Sequence, residues 1–487
     1  MYFSLDKLND DILIIIFSIF SIPDILAFRQ VCKRFALISE QRIVWHNAYT
    51  TQILQQNIPF TSQPLPSLSD KQLEKLVRRA ESLGRRWRSS LSEPRCAISS
   101  HIGKGAPVEE VRFIPGHDGQ WVVTVSKGIW SKLTLWNCFD LAPVAMWAPD
   151  KALFDGIAVN TEFQSSALLA ISILQNGSHR VEILTIRDAE HIGNLRFESI
   201  FSLDTMHKPV ALRGDLLALA DIQTETILWN WRTQAYATLR SEGIESWRDK
   251  CIQVVFSSNS IVVVRSRSVH LFPDPVLAAH PNDNIYFSLA SHTFGWVDGV
   301  SASLGTTFLE RTSSEASVIQ PLSILVRLKG DDPWSTRYKI QLWSICPNPT
   351  YSRSAETADF NPSSICPYTF PPTLMHEILS PHFGPLQCGN MVLGPYGTAV
   401  WIQPADWAVA GLISDAVHLQ RMPVPTSHES LVAALFPGAL GLDASNGIIK
   451  MSWSKEDNDS WTCLDYDEGL GRIALGSQSG SISVLEI

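Results

Sequence analysis

Chemistry needs a few reactive side-chain types at workable spacings, so the 487-residue chain is read first for those. No P-loop, no GxSxG, no HExxH and no dinucleotide fingerprint occurs. Gly469-Leu470-Gly471 lacks a strand–helix context and reads as a hairpin turn. Asp457-Asn458-Asp459 and Asp465-Tyr466-Asp467 place carboxylates at the alternate spacing of a calcium loop, but the glycine and the distal Glu of that loop are missing. Both read as turns. The 13 histidines are scattered, and His376 and His382, six apart, are not at a ligand spacing. Eight cysteines (32, 96, 138, 251, 346, 366, 388 and 463) form no CxxC pair and no cluster, which argues against a disulfide scaffold or zinc finger and fits a reducing compartment. The expectation is no catalytic residue, no metal and no cofactor.

Charged residues are 18% and hydrophobic residues 45% of the chain, with a mean hydropathy of +0.04. That is a packed globular protein, and no run approaches the ~18 apolar residues of a spanning helix. Residues 1–60 carry five basic and five acidic side chains, 67–95 carry eight and four, and 96–487 carry 26 and 39. An acidic body argues against non-specific nucleic-acid binding, and no membrane partner is expected.

The elements that would present a binding surface lie at the front. Ile12 to Ile22 is apolar enough to suggest a secretory signal, yet Asp6, Asp10 and Asp11 stand where that signal needs Lys or Arg. At helical spacing, Ile12, Ile15/Ile16 and Ile19 form one stripe, with Leu13, Phe17 and Phe20 on a second. Asn9 or Asp10 supplies an N-cap and the acids suit the helix dipole. Ser21-Ile22-Pro23-Asp24 breaks this helix and opens a second, carrying Leu26, Phe28, Val31 and Cys32; a third begins near Arg42 with Val44, Trp45, Ala48 and Ile53. Three short helices, apolar on more than one face, must dock on the rest of the chain or on another protein.

Leu5-x-x-Leu8-Asn-Asp-Asp-Ile12-Leu13-x-x-Ile16-Phe17-x-x-Phe20-Ser-Ile22-Pro23-Asp24-x-Leu26, followed by Arg29-Gln30-Val31-Cys32-Lys33-Arg34-Phe35 and Val44-Trp45, resembles the F-box. That motif plugs a substrate receptor onto the Skp-family adaptor of SCF (cullin-RING) ubiquitin ligases. The resemblance covers about residues 4–48. It implies adaptor contacts by Leu5, Leu8, Ile12, Ile16, Phe17, Ile22, Pro23, Leu26, Val31, Cys32 and Trp45. The motif usually opens Leu-Pro; here position 9 is Asn, whose capping strength of about 1 kcal/mol offsets the ~0.4–1 kcal/mol of lost proline rigidity.

Beyond this F-box (1–55) comes a linker (56–95). Residues 57–68, with three prolines and no charge, read as an extended connector, and Ser69-Asp-Lys-Gln72 is a capping box opening a helix to about Arg88. Leu73, Leu76, Val77, Ala80, Leu83 and Trp87 form its apolar stripe, and the interspersed Lys and Arg read as a solvated face. From residue 96 to 487 helical periodicity gives way to short β-rich runs. Strands ending in Trp136, Trp229, Trp343 and Trp453 recur at intervals of 93, 114 and 110 residues, each near two propeller blades. Hairpins recur at HDGQWVVTVS, LRGDLLALAD and GLGRIALGSQ. This region weakly resembles WD-repeat propellers, with Gly-His absent and Trp-Asp replaced by Trp-Asn or Trp-Ser. The expected fold class is α+β multidomain: a small α-helical F-box, a linker helix and an all-β propeller of seven blades, with six or eight open. Its C-terminal strands would pair with a strand near 96–114 to close the ring. Long loops are expected at 273–295 and 346–385; Trp121, Trp130, Trp247, Trp296, Trp334 and Trp407 lie nearer turns.

The reading that follows is a non-catalytic substrate-recognition subunit of an SCF ligase, cytoplasmic or nuclear, partnered by the Skp-family adaptor, through it a cullin, and an unidentified protein substrate. Alternatives are a non-degradative F-box scaffold and a propeller enzyme with an accessory F-box.

Overall fold

The computed structural model describes residues 8–61, 65–89, 94, 96–101, 105–116, 119–162, 164–189, 194–221, 225–241, 249–279, 284–295, 297–305, 319–328, 338–351, 366–380, 390–403, 429–437, 440, 449–454 and 459–487. Five α-helices come first: α1 Asp10–Ile19, α2 Ile22–Arg29, α3 Lys33–Ser39, α4 Arg42–Ala48 and α5 Asp70–Arg88. The sequence suggests three short helices before the linker, and the described residues form four. Val31 and Cys32 lie beyond α2, where the Cys32 Sγ accepts the Phe35 N–H and caps α3. Asn9 holds the N-cap position of α1 in extended backbone but makes no side-chain capping bond. The expected capping gain is therefore absent. Instead Arg34 of α3 reaches back to the Asp10 carboxylate and the Leu8 carbonyl and clamps the start of the helix. Residues 57–68 are less extended than expected, because Leu65–Ser67 makes a turn of 3-10 helix and Ile58, Phe60 and Leu68 are buried.

The remaining strands form seven sheets around a ring. After β1 (Cys96–His101), the first blade is β2 Val108–Phe113, β3 Trp121–Lys127, β4 Ser131–Asn137 and β5 Pro143–Trp147. The second is β6 Ala152–Val159, β7 Leu169–Gln175, β8 Ser178–Ala189 and β9 Asn194–Asp204. The third is β10 Lys208–Arg213, β11 Leu216–Ala220, β12 Thr226–Asn230 and β13 Tyr236–Arg240. The fourth holds β14 Cys251–Phe256, β15 Ser260–Arg265 and β16 Ser268–Pro273; the chain then crosses to lay β17 (Ile285–Phe287) parallel to β13 before returning as β18 (Ala290–Thr293). The fifth is β19 Val297–Leu304, β20 Leu322–Leu328, β21 Tyr338–Ile345 and β22 Thr373–Ser380. The sixth is β23 Met391–Leu393, β24 Thr398–Gln403, β25 Ser430–Leu435 and β26 Ile449–Ser454. The seventh is β27 Trp461–Asp467, β28 Arg472–Ser477 and β29 Ser481–Glu486, completed by β1.

Closure follows the expected route: β1 pairs antiparallel with β29 from Cys96↔Glu486 to His101↔Ser481, which removes a free edge from each. The three hairpins become β3, β11 and β28, the second strands of their blades. Trp136, Trp229 and Trp343 sit in the third strands of blades one, three and five, whereas Trp453 lies in the fourth strand of blade six. The 110 residues from Trp343 to Trp453 therefore cover about one blade and not two, because residues 346–372 and 404–429 lengthen the β21–β22 and β24–β25 connections. The two expected loops are also partly sheet: 273–295 contains β17 and β18, and 346–385 contains β22.

One side of the ring receives the helices. Ser69 and Gln72 form the capping box of α5, and its stripe of Leu73, Val77, Ala80, Leu83 and Trp87 is buried. That stripe shares one continuous core with Ile53, Leu54 and Ile58 before it and with Tyr396, Leu431, Leu435, Leu464 and Ile473 of blades six and seven. Polar contacts fix the seat: Arg79 donates to the Leu470 carbonyl at 2.9 Å and pairs with Glu486, and Arg88 donates to the Leu440 carbonyl at 3.0 Å. The Tyr396 hydroxyl donates to the Phe60 carbonyl at 3.2 Å.

Beneath this seat Glu468 is buried, accepting from the Tyr396 and Thr398 N–H groups at 2.8 and 3.0 Å and from the Thr398 hydroxyl. Burial pushes its carboxyl up to about 7, against the hydrogen bonds that favour the anion. A raised carboxyl pKa favours folding most when protonated, so its contribution declines as pH rises from 4.5 through about 7. Urea unfolding of Glu468→Gln beside wild type between pH 5 and 8 should show the variant gaining relative stability with pH, by up to about 3 kcal/mol. A constant difference across that range would remove Glu468 as a titrating group. Gly469 touches the connector directly, since a Cβ there would lie 2.8 Å from the Phe60 carbonyl oxygen. Gly469→Ala is expected to destabilise by about 1–3 kcal/mol, read from the same unfolding curves.

Candidate partner-binding face of the N-terminal helices

The sequence of α1, DDILIIIFSI, is apolar nearly all round, and packing divides it into two faces. Leu13 and Phe17 point inward. The Phe17 ring meets Phe20, Phe28 and Phe35 edge-on, at centroid separations of 5.9, 6.4 and 6.5 Å. Aromatic pairs in this geometry add about 0.5–1.5 kcal/mol beyond their burial. On α4, Trp45 is fully buried and donates its indole N–H to the Ser39 carbonyl at 2.8 Å. Arg29 lies over the Trp45 ring at 5.6 Å, donates to the Ser39 hydroxyl at 2.8 Å and forks onto Glu74 of α5 at 2.7 and 3.0 Å. This half-buried fork ties α2, α3 and α4 to the linker helix.

The start of α2 is fixed separately. The Ser21 hydroxyl accepts the Asp24 N–H at 3.3 Å, and Gln52 brackets the break by accepting the Ile22 N–H at 2.9 Å and donating to the Phe20 carbonyl at 2.7 Å. Pro23 is left exposed in the first turn.

The opposite face of α1 is bare. Ile12, Ile15 and Ile19, at i, i+3 and i+7, are 44%, 64% and 79% exposed. Val31, in the turn after α2, is 67% exposed, and Leu37 of α3 and Ile43 of α4 are also exposed. Isolated apolar residues on a surface need no explanation, but three isoleucines along one helix face form a patch that water covers at a cost.

Of the residues expected from sequence to touch an adaptor, Ile12, Pro23 and Val31 are exposed, and Leu8, Ile16, Leu26 and Cys32 are half-buried. Phe17, Ile22 and Trp45 are buried at 2%, 2% and 0% exposure; they face inward and hold the unit together, which corrects the expectation that they lie on its surface. Leu5 lies outside the described residues. Leu37 and Ile43 were not legible as exposed, since no period separates them from their buried neighbours Ile38 and Val44. Ile15 and Ile19 carried a signal, the helical spacing from Ile12.

The carboxylates at alternate spacing that the sequence offered are engaged in local hydrogen bonds where they are described. Asp465 and Asp467 lie in β27, accepting the N–H groups of Phe113 at 2.7 Å and Leu470 at 3.0 Å. Asp459 accepts from Ser479. Asp457, His382 and Trp247, Trp296, Trp334 and Trp407 lie outside the described residues. Among the described residues no helix is long and apolar enough to cross a membrane.

The division into inner and outer residues has a direct readout. Trp45→Ala is expected to lower the unfolding free energy by about 3–5 kcal/mol. Ile19→Ser, on the bare face, should change it by less than about 0.5 kcal/mol. Chemical denaturation of the full chain distinguishes them, and equal costs would contradict the division.

Comparison with known families agrees with this geometry. The F-box domain family model matches residues 5–47, which cover α1 to α3 and all but the last residue of α4. No curated protein matches the chain's sequence. F-box domains typically bind Skp-family adaptors, and proteins carrying them are usually non-catalytic. The first part of the chain, residues 5–47, is an F-box domain, followed by a seven-bladed β-propeller.

Proposed function

We propose that the chain is the substrate-recognition subunit of an SCF ubiquitin ligase, working in the cytoplasm or nucleus. An F-box followed by a propeller fits a substrate receptor of this kind in general. The observation that carries the reading is the bare aliphatic face of α1, left open on a unit whose other side is sealed onto the chain's own core. Each isoleucine there would contribute about 1.5–3 kcal/mol on burial, before the costs of association. In this reading Leu5, Leu8, Ile12, Ile16, Pro23, Leu26, Val31 and Cys32, joined by Ile15 and Ile19, contact the adaptor. Phe17, Ile22 and Trp45 act through them by fixing the helices. The adaptor brings a cullin, and the propeller holds the target. The chain contributes proximity: target lysines are kept near a ubiquitin-charged enzyme, which raises their effective concentration.

Ile15→Asp leaves the inner core untouched and sets a charge in the joint. Its affinity for a purified Skp-family adaptor is expected to fall more than about thirtyfold, with the unfolding midpoint unchanged. Adaptor binding that survives this change would overturn the reading. Proteomics after deletion of the gene separates receptor from scaffold: a receptor leaves at least one protein accumulating, and a scaffold leaves none.

A further inference from the structure

Between α2 and α5 runs an open groove of about 1260 Å3, floored by Leu470 and Glu486 of blade seven. Pro23 and Leu26 form one wall; Lys71, Lys75 and Arg78 of α5 line the other. The charges in it are not balanced. Glu74 is held by Arg29 and Arg78, Glu81 by Arg85, Asp70 by Arg42, and Glu486 by Arg79 and Arg472. Glu40 is the one lining carboxylate without a cation among the described residues. Lys71 and Lys75, one helical turn apart and both exposed, have no ion-pair partner there. The groove therefore keeps two uncommitted cations in a chain of net charge −9.

We propose that the adaptor does not stop at the F-box, and that an acidic segment of the same subunit lies in this groove against Lys71 and Lys75. This rests on the function proposed above. Two features select that occupant. Pro23 and Leu26 belong both to the proposed adaptor face and to the groove wall, so a protein covering the first meets the second without a gap. The unpaired ammonium groups are complementary to carboxylates, and long-range attraction between exposed charges raises the association rate more than it slows dissociation. The linker helix then does two things: it seats the F-box on the propeller with its apolar stripe and extends the partner surface with its polar one.

The test measures binding of the full chain to a purified Skp-family adaptor at about 50 mM and about 500 mM salt, where screening lengths differ several-fold. Lys71→Glu/Lys75→Glu should weaken binding about tenfold at low salt, mainly through a slower association rate, and by little at high salt. Lys71→Arg/Lys75→Arg should bind like wild type. Both lysines are exposed, so an unchanged unfolding midpoint is expected and checks folding. Charge reversal that leaves affinity and salt dependence unaltered, while wild type binds and Ile15→Asp does not, overturns the groove alone. Failure of wild type to bind at either salt overturns the F-box reading as well.

Discussion

The buried stripe of α5 is the interaction on which the molecule depends. Leu73, Val77, Ala80, Leu83 and Trp87 lie at 0–3% exposure, with F-box residues packed on one side and blades six and seven on the other. Three segments that are separate in sequence thereby share one core. Taking the helix away would expose apolar surface on both remaining parts, and at roughly 25 cal/mol per Å2 that cost is large compared with the few kcal/mol that hold a typical domain together. The described part of the connection, α5, thus seats the F-box helices against blades six and seven.

This seat also explains why the junction contains buried polar groups. The turn between β27 and β28 must approach the connector closely, and Gly469 allows it. Glu468 beside it satisfies the backbone N–H groups of Tyr396 and Thr398 from the neighbouring blade, which would otherwise be left without partners under the helices. Arg472, almost fully buried, joins Glu486 to the Gly119 carbonyl and so links blade seven to blade one. The closure of the ring and the docking of the helix use the same few residues. The ionised form of a buried carboxylate is expensive, and the raised pKa of Glu468 is the cost of that arrangement.

Much of the propeller was legible in the chain. The recurring hairpins and three of the Trp-ended runs are the second and third strands of their blades, β3, β11 and β28 and β4, β12 and β21, which are largely buried and so spell nearly continuous apolar sequence. The strands that escaped are mainly first and fourth ones. β13 (YATLR) and β18 (ASHT) are short and half-exposed; ladder hydrogen bonds hold them, and a backbone ladder leaves little mark on side-chain pattern. Trp453 misled for a related reason: equal spacing counts blades correctly only while the loops keep their length.

The sequence by itself determined the elements: an apolar N-terminal helix, a Pro23 break, a capping box before α5, a stripe along it and a long series of β runs. It could not determine which side of α1 is inside. Ile12, Leu13, Ile15, Ile16, Phe17 and Ile19 are all apolar, and periodicity distinguishes faces only when they differ in polarity. Tertiary packing made that choice. The rings of Phe20, Phe28 and Phe35 close over the Phe17 side and pack it edge-on. Among the described residues the isoleucine side has no such neighbour, and it stays exposed.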